Sequence, residues 1–130
     1  GLTTVNALVA SDYYLVPVSC EYLPMVGIKH LLNTIEQIRP LNEKLSNLGY
    51  LLTMVDKREG IAADVEEILR DSFKNEVFKN VIRINTKLKA CPQGKTTIFD
   101  DEPASGRGHQ DYMSVAKETL KRMEIFSGIR

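Results

Sequence analysis

The sequence predicts an α/β fold in which a parallel β-sheet is flanked by helices. The clearest observation is the run 48–56, Leu-Gly-Tyr-Leu-Leu-Thr-Met-Val-Asp, which is apolar almost throughout and is closed by a charged patch at 56–60. A strand with one face in water alternates apolar and polar residues, whereas a parallel strand covered by helices on both faces does not. The second observation is that helical and extended patterns alternate along the chain, as they do when right-handed crossovers connect parallel strands.

Composition limits the possible classes of function. The 130 residues, 1–130, are expected to be a single domain or a piece of one. With 17 basic and 17 acidic residues the formal net charge is zero, so binding to nucleic acid would need a local basic patch. No run approaches the roughly 18 apolar residues of a membrane span, so no membrane partner is expected. Cys20 and Cys91 lack metal-ligand spacing and are predicted to be buried thiols.

The first half of the chain predicts two helices around one strand. Asp12 separates a helical pattern from a β-rich run, in which Pro17 lacks an N–H and suits a strand end or an unpaired position. Pro24 suits the first position of the next helix, which has apolar residues at spacings of three and four and is ended by Pro40. The predicted elements are a helix over 3–11, a strand over 13–20 and a helix over 25–39.

The second half predicts two further strands, two helices and a long loop. A polar connector over 42–47 precedes the central apolar run, and the helix after it places Val65, Ile68 and Leu69 inward. The stretch 85–108 is rich in proline and glycine and is predicted to be irregular, and long loops in compact domains are often functional. The predicted elements are a strand over 48–55, a helix over 62–73, a less regular strand over 77–84 and a helix over 110–126.

Three strands are few for a parallel sheet. The chain also begins with Gly1 instead of Met, and its helical pattern is established by residue 3. From these features we expect the chain to be part of a longer domain.

Ligands of open α/β sheets bind beyond the carboxyl ends of the strands, where this sequence places Glu21, Asp56 and Asn85. Asp56 is either an acceptor for a ligand amine or a turn former, and Glu21 taken alone suits a helix entry. The run 93–97, Gln-Gly-Lys-Thr-Thr, ends like a phosphate loop but lacks the first glycine, which favours an ordinary turn. No catalytic or metal-binding constellation is evident.

Basic residues cluster in the second half of the chain. This cluster indicates either a surface that contacts a phosphate backbone or an ordinary solvated face, and the spacing alone favours the solvated face. The residues are Arg70, Lys74, Lys79, Lys87, Lys89 and Lys95.

Several segments, taken together in order and spacing, resemble the ParA/Soj partition ATPases of the MinD-like deviant Walker A group. The resemblance covers about residues 2 to 123. The segments that carry it are 2–11 (LTTVNALVAS), 17–22 (PVSCEY), 27–34 (GIKHLLNT), 51–56 (LLTMVD), 90–96 (ACPQGKT), and 106–108 (GRG) followed by Asp111-Tyr112.

The resemblance implies the C-terminal half of a P-loop NTPase domain of Rossmann-like type. The phosphate loop, its lysines, the magnesium ligands and the switch segments would lie before residue 1. The parent would bind ATP with Mg²⁺, form a homodimer around two nucleotides, bind DNA without sequence preference, and be stimulated by a centromere-binding ParB-like protein. It would segregate chromosomes or plasmids in the bacterial cytoplasm, associated with the nucleoid, while this half alone would not be catalytic.

The resemblance also implies site residues. A base pocket would use Met54 and Asp56 together with the segment Arg83-Ile84-Asn85, where the family commonly has Pro-Arg-Asn and this sequence lacks the proline. Glu21 matches a residue that reaches the ribose of the partner's nucleotide.

For DNA, Lys74 falls at a position that is often basic in the family, and Arg70 and Lys79 are its basic neighbours. Glu36 falls where some relatives carry arginine, so no contact with DNA is expected there.

Two other interpretations remain open at the level of sequence. One is a protein–protein module, because an uncovered edge of a parallel sheet invites pairing with another chain. The other is a short paralogue that modulates a full-length partition ATPase.

Overall fold

A computed structural model describes residues 1–21 and 25–127, and the side chains of residues 126 and 127 are not described. The predicted start of the second helix at Pro24 therefore lies outside the described residues. The described elements, in chain order, are α1 (Leu2–Ala10), β1 (Tyr13–Ser19), α2 (Met25–Ile38), β2 (Ser46–Thr53), α3 (Gly60–Phe73), a 3-10 turn (Lys74–Glu76), α4 (Thr86–Gly94), α5 (Ile98–Asp101) and α6 (Arg107–Ser127).

The sheet is parallel, as the sequence predicted. β1 pairs with β2 from Tyr13 opposite Ser46 to Ser19 opposite Thr53. The register shifts once, where β2 carries one extra residue before Gly49. Gly49 adopts a φ of 141°, and a methyl group on its Cα would overlap the carbonyl oxygen of Glu76. Glycine is required there because a side chain would be both strained and obstructed.

Helices cover both faces of β2, which explains its unbroken apolar pattern. Tyr50 and Leu52 belong to a buried cluster with α3 residues such as Leu69. Leu51 faces the opposite side, where it packs with Phe78 and with Val115 of α6. All residues from 48 to 52 are buried. The central run therefore carries no polar face because neither side of the strand meets water.

The predicted third strand over 77–84, expected to be less regular, does not form as a continuous strand. The segment runs beside β2 and forms two isolated parallel bridges, one to β2 at Tyr50–Val77 and one just beyond the end of β2 at Val55–Arg83. Phe78 N donates to the carbonyl of Tyr50 at 2.8 Å, and Ile82 N donates to that of Leu52 at 2.9 Å. Between these two hydrogen bonds the segment advances four residues, from 78 to 82, while β2 advances only two, from 50 to 52. The extra residues, near 79 and 80, therefore bulge out of the ladder.

The prediction of an irregular loop over 85–108 is also wrong, because it contains α4 and α5. The Oδ1 atom of Asn85 accepts a hydrogen bond from Lys87 N at 2.8 Å and so caps α4. Thr97 and Asp100 form a capping box at the start of α5. These caps provide helix starts that the glycine and proline content of the segment obscured. Pro92 lies within α4.

Candidate functional site

A cleft of about 660 Å³ lies where β2 and the segment after it end. The carboxyl ends of parallel strands meet at one edge of a sheet, and ligands of open α/β sheets bind there. The residues that line the cleft are Val55, Asp56, Lys57, Arg58, Arg83, Ile84, Asn85, Thr86, Lys87, Lys89, Glu102 and Arg107.

The structure brings four of the six predicted nucleotide-binding residues together in this cleft: Asp56, Arg83, Ile84 and Asn85. Met54, which has a φ of 54°, and Glu21, which is exposed after β1, are not among the lining residues. The cleft is therefore built from two of the three strand ends that the sequence singled out.

Asp56 forms an ion pair with Arg58 across the mouth of the cleft. Oδ1 accepts from Arg58 N at 3.0 Å and from Arg58 Nε at 2.9 Å, while Oδ2 accepts from Nη2 at 2.7 Å. Hydrogen bonds from the Arg58 side chain and then from its backbone lower the pKa of Asp56 to about 2. Asp56 is thus ionised at neutral pH, and its carboxylate is already engaged within the chain.

Arg83 is held by Asp111 of α6. The carboxylate of Asp111 accepts from Arg83 N at 3.0 Å and from Nη2 at 2.7 Å. The side chain of Asp111 is 10% exposed and that of Arg83 is 26% exposed, and hydrogen bonding to Asp111 raises the pKa of Arg83. α6 thereby fixes the position of the strand end that carries Ile84 and Asn85.

Asn85 has a second partner in Glu102, which is buried. Asn85 Nδ2 donates to Glu102 Oε1 at 3.3 Å, and His109 N donates to Oε2 at 3.1 Å. The bond from His109 N leads the contacts that lower the pKa of Glu102. With its Oδ1 capping α4, the amide of Asn85 retains one uncommitted hydrogen.

The Gly-Arg-Gly segment at 106–108 fits closely around this cluster. A Cβ at Gly108 would lie 2.7 Å from Ile98 Cγ1 and 2.9 Å from Asn85 Nδ2, and one at Gly106 would lie 2.8 Å from Glu102 Cβ. Side chains at either glycine would displace the wall of the cleft. His109 Nδ1 is buried without a hydrogen-bond partner, and its ring contacts Phe99 edge-on at 4.8 Å.

The rim of the cleft is strongly cationic. Lys57, Lys87, Lys89 and Arg107 are exposed, and among the described residues none of these side chains has a hydrogen-bond or ion-pair partner. Only Asp56 and Glu102 contribute negative charge to the lining. The local field therefore favours an anionic ligand, although the whole chain carries no net charge.

The three residues predicted to contact DNA line a second cleft, of about 770 Å³, on another part of the molecule. Arg70 Nε donates to Glu66 at 2.8 Å, and its Nη2 donates to the carbonyl of Phe78 at 3.1 Å. The side chains of Lys74 and Lys79 have no such partner among the described residues. The guanidinium of Arg70 is therefore partly engaged by hydrogen bonds within the chain, whereas the two lysines present their charge to solvent.

Sequence reasoning missed Glu118 and Arg122 of α6, which hold the wall of this second cleft. Glu118 accepts from Lys79 N and Asn80 N, both at 2.9 Å, and from Asn80 Nδ2 at 2.8 Å. Arg122 donates to the carbonyls of Leu48 and Val77, both at 3.0 Å, and lies 4.3 Å from the centre of the Phe78 ring. The available signal was charge on the same helical face as buried Val115, at spacings of three and seven residues.

Among residues 1–21 and 25–127 there is no group of three or more His, Cys, Asp or Glu side chains placed to hold a metal ion. Within those same ranges no helix is long and apolar enough to cross a membrane.

Comparisons with known proteins identify relatives along nearly the whole chain. The AAA domain family matches residues 1–47. The chain is 40% identical over 124 residues to the chromosome partitioning protein ParA of Myxococcus xanthus, covering 94% of this chain and 43% of that protein. It is 40% identical over 119 residues to the sporulation initiation inhibitor protein Soj of Bacillus subtilis, covering 91% of this chain and 47% of that protein.

The chain belongs to the ParA/Soj family. A third relative, the chromosome-partitioning ATPase Soj of Thermus thermophilus, is 39% identical over 93% of the chain. The chain spans only 43–49% of the length of these three ParA/Soj relatives.

The ParA/Soj assignment agrees with the fold. Cobyrinic acid a,c-diamide synthase from Mycobacterium smegmatis, solved with a bound ATP analog and magnesium, matches with a TM-score of 0.73 at 25% identity. The match covers 95% of this chain and 45% of the synthase. The expected class, a parallel sheet flanked by helices in a P-loop ATPase fold, is confirmed.

Proposed function

We propose that the chain is the base-binding and DNA-contacting C-terminal part of a chromosome or plasmid partition ATPase. The parent binds ATP and Mg²⁺, and the residues that hold the phosphates and the metal lie outside these 130. The length of the chain relative to ParA and Soj supports this division, since it spans less than half of either relative. The lining of the cleft also supports it, because it offers groups suited to a purine base and no phosphate loop.

One observation carries the proposal: Asp56 and Asn85 meet in one cleft at the carboxyl edge of the sheet. Each keeps one free hydrogen-bonding position, an acceptor on Asp56 Oδ2 and a donor on Asn85 Nδ2. Adenine presents the complementary pair, an amino group that donates and a ring nitrogen that accepts. Ile84 supplies an apolar wall beside the base. Met54 and Glu21 act from outside this lining, with Glu21 reaching the ribose of a partner's nucleotide.

We further propose that the parent works as a homodimer on DNA with a ParB-like stimulating partner, in the nucleoid of a bacterial cytoplasm. The names of the relatives support a role in partitioning. DNA contact without sequence preference is assigned to Lys74 and Lys79, with Arg70 behind them. The unpaired cations at the rim of the first cleft form a second candidate surface, and charge reversal on each surface separates the two.

A specific observation favours a second candidate function, that of an interaction module or short paralogue. Among the described residues β1 pairs on one side only, with β2. Leu2, Val26 and Leu41 are exposed by 75%, 85% and 69%. An open strand edge and exposed apolar side chains both suit pairing with another chain. Self-association of the chain, measured by analytical ultracentrifugation across concentration, would favour this alternative.

Nucleotide titration of the 130-residue chain tests the main proposal. With amide NMR, AMP is expected to shift the signals of residues 55–58 and 83–87 at millimolar affinity. ATP with Mg²⁺ is expected to bind no tighter than AMP at high salt, because no phosphate ligands are present to clamp the extra charge. No shift in the cleft would refute base binding there. Much tighter binding of Mg-ATP would refute the proposed division between base and phosphate sites.

A further inference from the structure

The side chain of Arg58 forms hydrogen bonds with the Asp56 carboxylate, which is the group proposed to bind the nucleotide base. Its guanidinium presents two parallel N–H groups, Nε to Asp56 Oδ1 at 2.9 Å and Nη2 to Oδ2 at 2.7 Å. Both oxygens of Asp56 are thus engaged by one planar fork, the bidentate geometry of a guanidinium–carboxylate pair.

The remaining capacity of Asp56 follows from counting acceptors. An ionised carboxylate offers about four lone-pair sites. Oδ1 uses two, for the backbone N and the Nε of Arg58, and Oδ2 uses one, for Nη2. One acceptor position is left, on Oδ2. A single N–H donor fits this position without displacing Arg58, whereas a pair of parallel donors does not.

Adenine and guanine differ in how many adjacent N–H donors they present to a carboxylate. The amino group of adenine needs one acceptor. The edge of guanine presents N1–H and N2–H side by side, which is the same pair of donors as the arginine fork, and it needs both carboxylate oxygens.

We propose that Arg58 determines base specificity by occupying, within the chain, the carboxylate face that guanine would bind, so that the cleft accepts adenine. This inference rests on the proposed base-binding function of the cleft.

The pair persists although Arg58 is 86% exposed, because it is local. Arg58 lies two residues after Asp56, its own N–H also binds Oδ1, and Glu59 N donates to the carbonyl of Asp56 at 3.0 Å to close the turn. An intramolecular ligand on so short a connection has a high effective concentration, which a dilute nucleotide must overcome.

The experiment measures the ratio of GMP to AMP affinity for the 130-residue chain by NMR titration. The two nucleotides carry the same phosphate, so loss of a cation affects both equally and cancels in the ratio. Arg58→Ala removes the guanidinium from both oxygens of Asp56, leaving only the backbone N–H of residue 58 on Oδ1, and is expected to raise the GMP:AMP ratio at least tenfold over the wild type. Arg58→Lys keeps the charge but lacks the planar fork, and it is expected to raise the ratio by a smaller factor.

Lys57→Ala is the matched control. Lys57 is an exposed cation of the same cleft, but the hydrogen bonds and ion pair of Asp56 are made by Arg58, so removal of the Lys57 side chain is expected to leave the ratio unchanged. Adding Asp56→Asn to Arg58→Ala removes the paired acceptors and is expected to abolish the gain for GMP.

The outcomes separate the role of Arg58 from base binding by the cleft. A ratio that stays at the wild-type value in Arg58→Ala, with AMP still bound in the cleft, refutes the inference and leaves base binding standing. A gain for GMP in Arg58→Ala without AMP binding in any form of the chain supports the role of Arg58 and refutes the preference for adenine. Binding of neither nucleotide to any variant refutes both.

Discussion

Replacing Glu118 by alanine removes the carboxylate that holds the bulged segment 79–80 against α6. The segment leaves the ladder of β2 and gives its backbone N–H groups to Glu118 instead, at 2.9 Å each. Arg122 Nη2 also lies 3.0 Å from Glu118 Oε2. The substitution therefore leaves two backbone donors, the amide of Asn80 and one face of a guanidinium without their acceptor.

The expected cost is about 3 kcal/mol of unfolding free energy. Removing one partner of a buried ion pair costs about 3–5 kcal/mol, and each stranded polar group costs about 1–3 kcal/mol. The side chains of Glu118 and Arg122 are 12% and 16% exposed, so some water reaches them and the lower end applies. Arg122 also keeps its bonds to Leu48 and Val77. For a chain of this size the melting temperature should fall by about 10 °C.

The assay is urea unfolding followed by circular dichroism, with Glu66→Ala as the matched control. Glu66 pairs with Arg70 one turn away in α3, and these side chains are 40% and 34% exposed. An exposed pair of this kind is worth about 0.3–0.5 kcal/mol. If Glu118→Ala cost no more than Glu66→Ala, Glu118 would not hold the segment and the reasoning from the bulge would be refuted.

The effect of Glu118 should also depend on pH. Burial alone would raise the pKa of Glu118, but the N–H groups of Asn80 and Lys79, the amide of Asn80 and the guanidinium of Arg122 together lower it below the ordinary value of 4.5. A carboxyl group with a lowered pKa in the folded state stabilises the protein above its unfolded pKa and loses that contribution as pH falls through the folded value. The difference between the wild type and Glu118→Ala should therefore be constant near neutral pH and shrink below pH 4.5.

Three further predictions concern the sheet and the two clefts. Gly49→Ala should cost at least about 3 kcal/mol in urea unfolding, because its φ of 141° and the carbonyl of Glu76 exclude a methyl group; a loss under about 1 kcal/mol would contradict the obstruction. Asp56→Ala should weaken AMP binding to the chain about tenfold by calorimetry, and unchanged affinity would leave Asp56 a turn residue. In gel shifts with duplex DNA, Lys74→Glu should weaken binding and flatten its salt dependence, whereas an effect of Lys87→Glu alone would move the contact to the rim of the first cleft.

Predictions that depended on local pattern and burial were the reliable ones. The run 48–52 predicted a strand buried on both faces, and the structure buries every one of these residues, with Tyr50 and Leu52 packed on the side of α2 and α3 and Leu51 on the side of α6. The amphipathic helices were predicted within a few residues of their observed bounds. Cys20 and Cys91 are buried and free, as expected, and burial raises the pKa of Cys20 to about 11.

The errors share one physical cause, which is hydrogen bonding that depends on partners distant in sequence or on helix caps. The run 77–84 looks like a strand, yet the N–H groups of Lys79 and Asn80 bind Glu118, which lies 39 and 38 residues later in the chain. The segment 85–108 looked irregular because its prolines and glycines outweighed the caps at Asn85 and Thr97. No local pattern reveals an acceptor that lies on another helix.

For the candidate site, too, some features followed from local sequence pattern and others depended on tertiary contacts. The sequence by itself determined that polar side chains follow buried parallel strands, because the carboxyl ends of such strands share one edge of the sheet. It also determined the kinship with ParA and Soj. Only the tertiary structure decided that Asp56 is paired with Arg58, that Arg83 is held by Asp111 and that Asn85 shares its amide with Glu102. Pattern fixes which face of an element is buried, whereas the remaining capacity of a polar group depends on every atom that folding brings within hydrogen-bond distance.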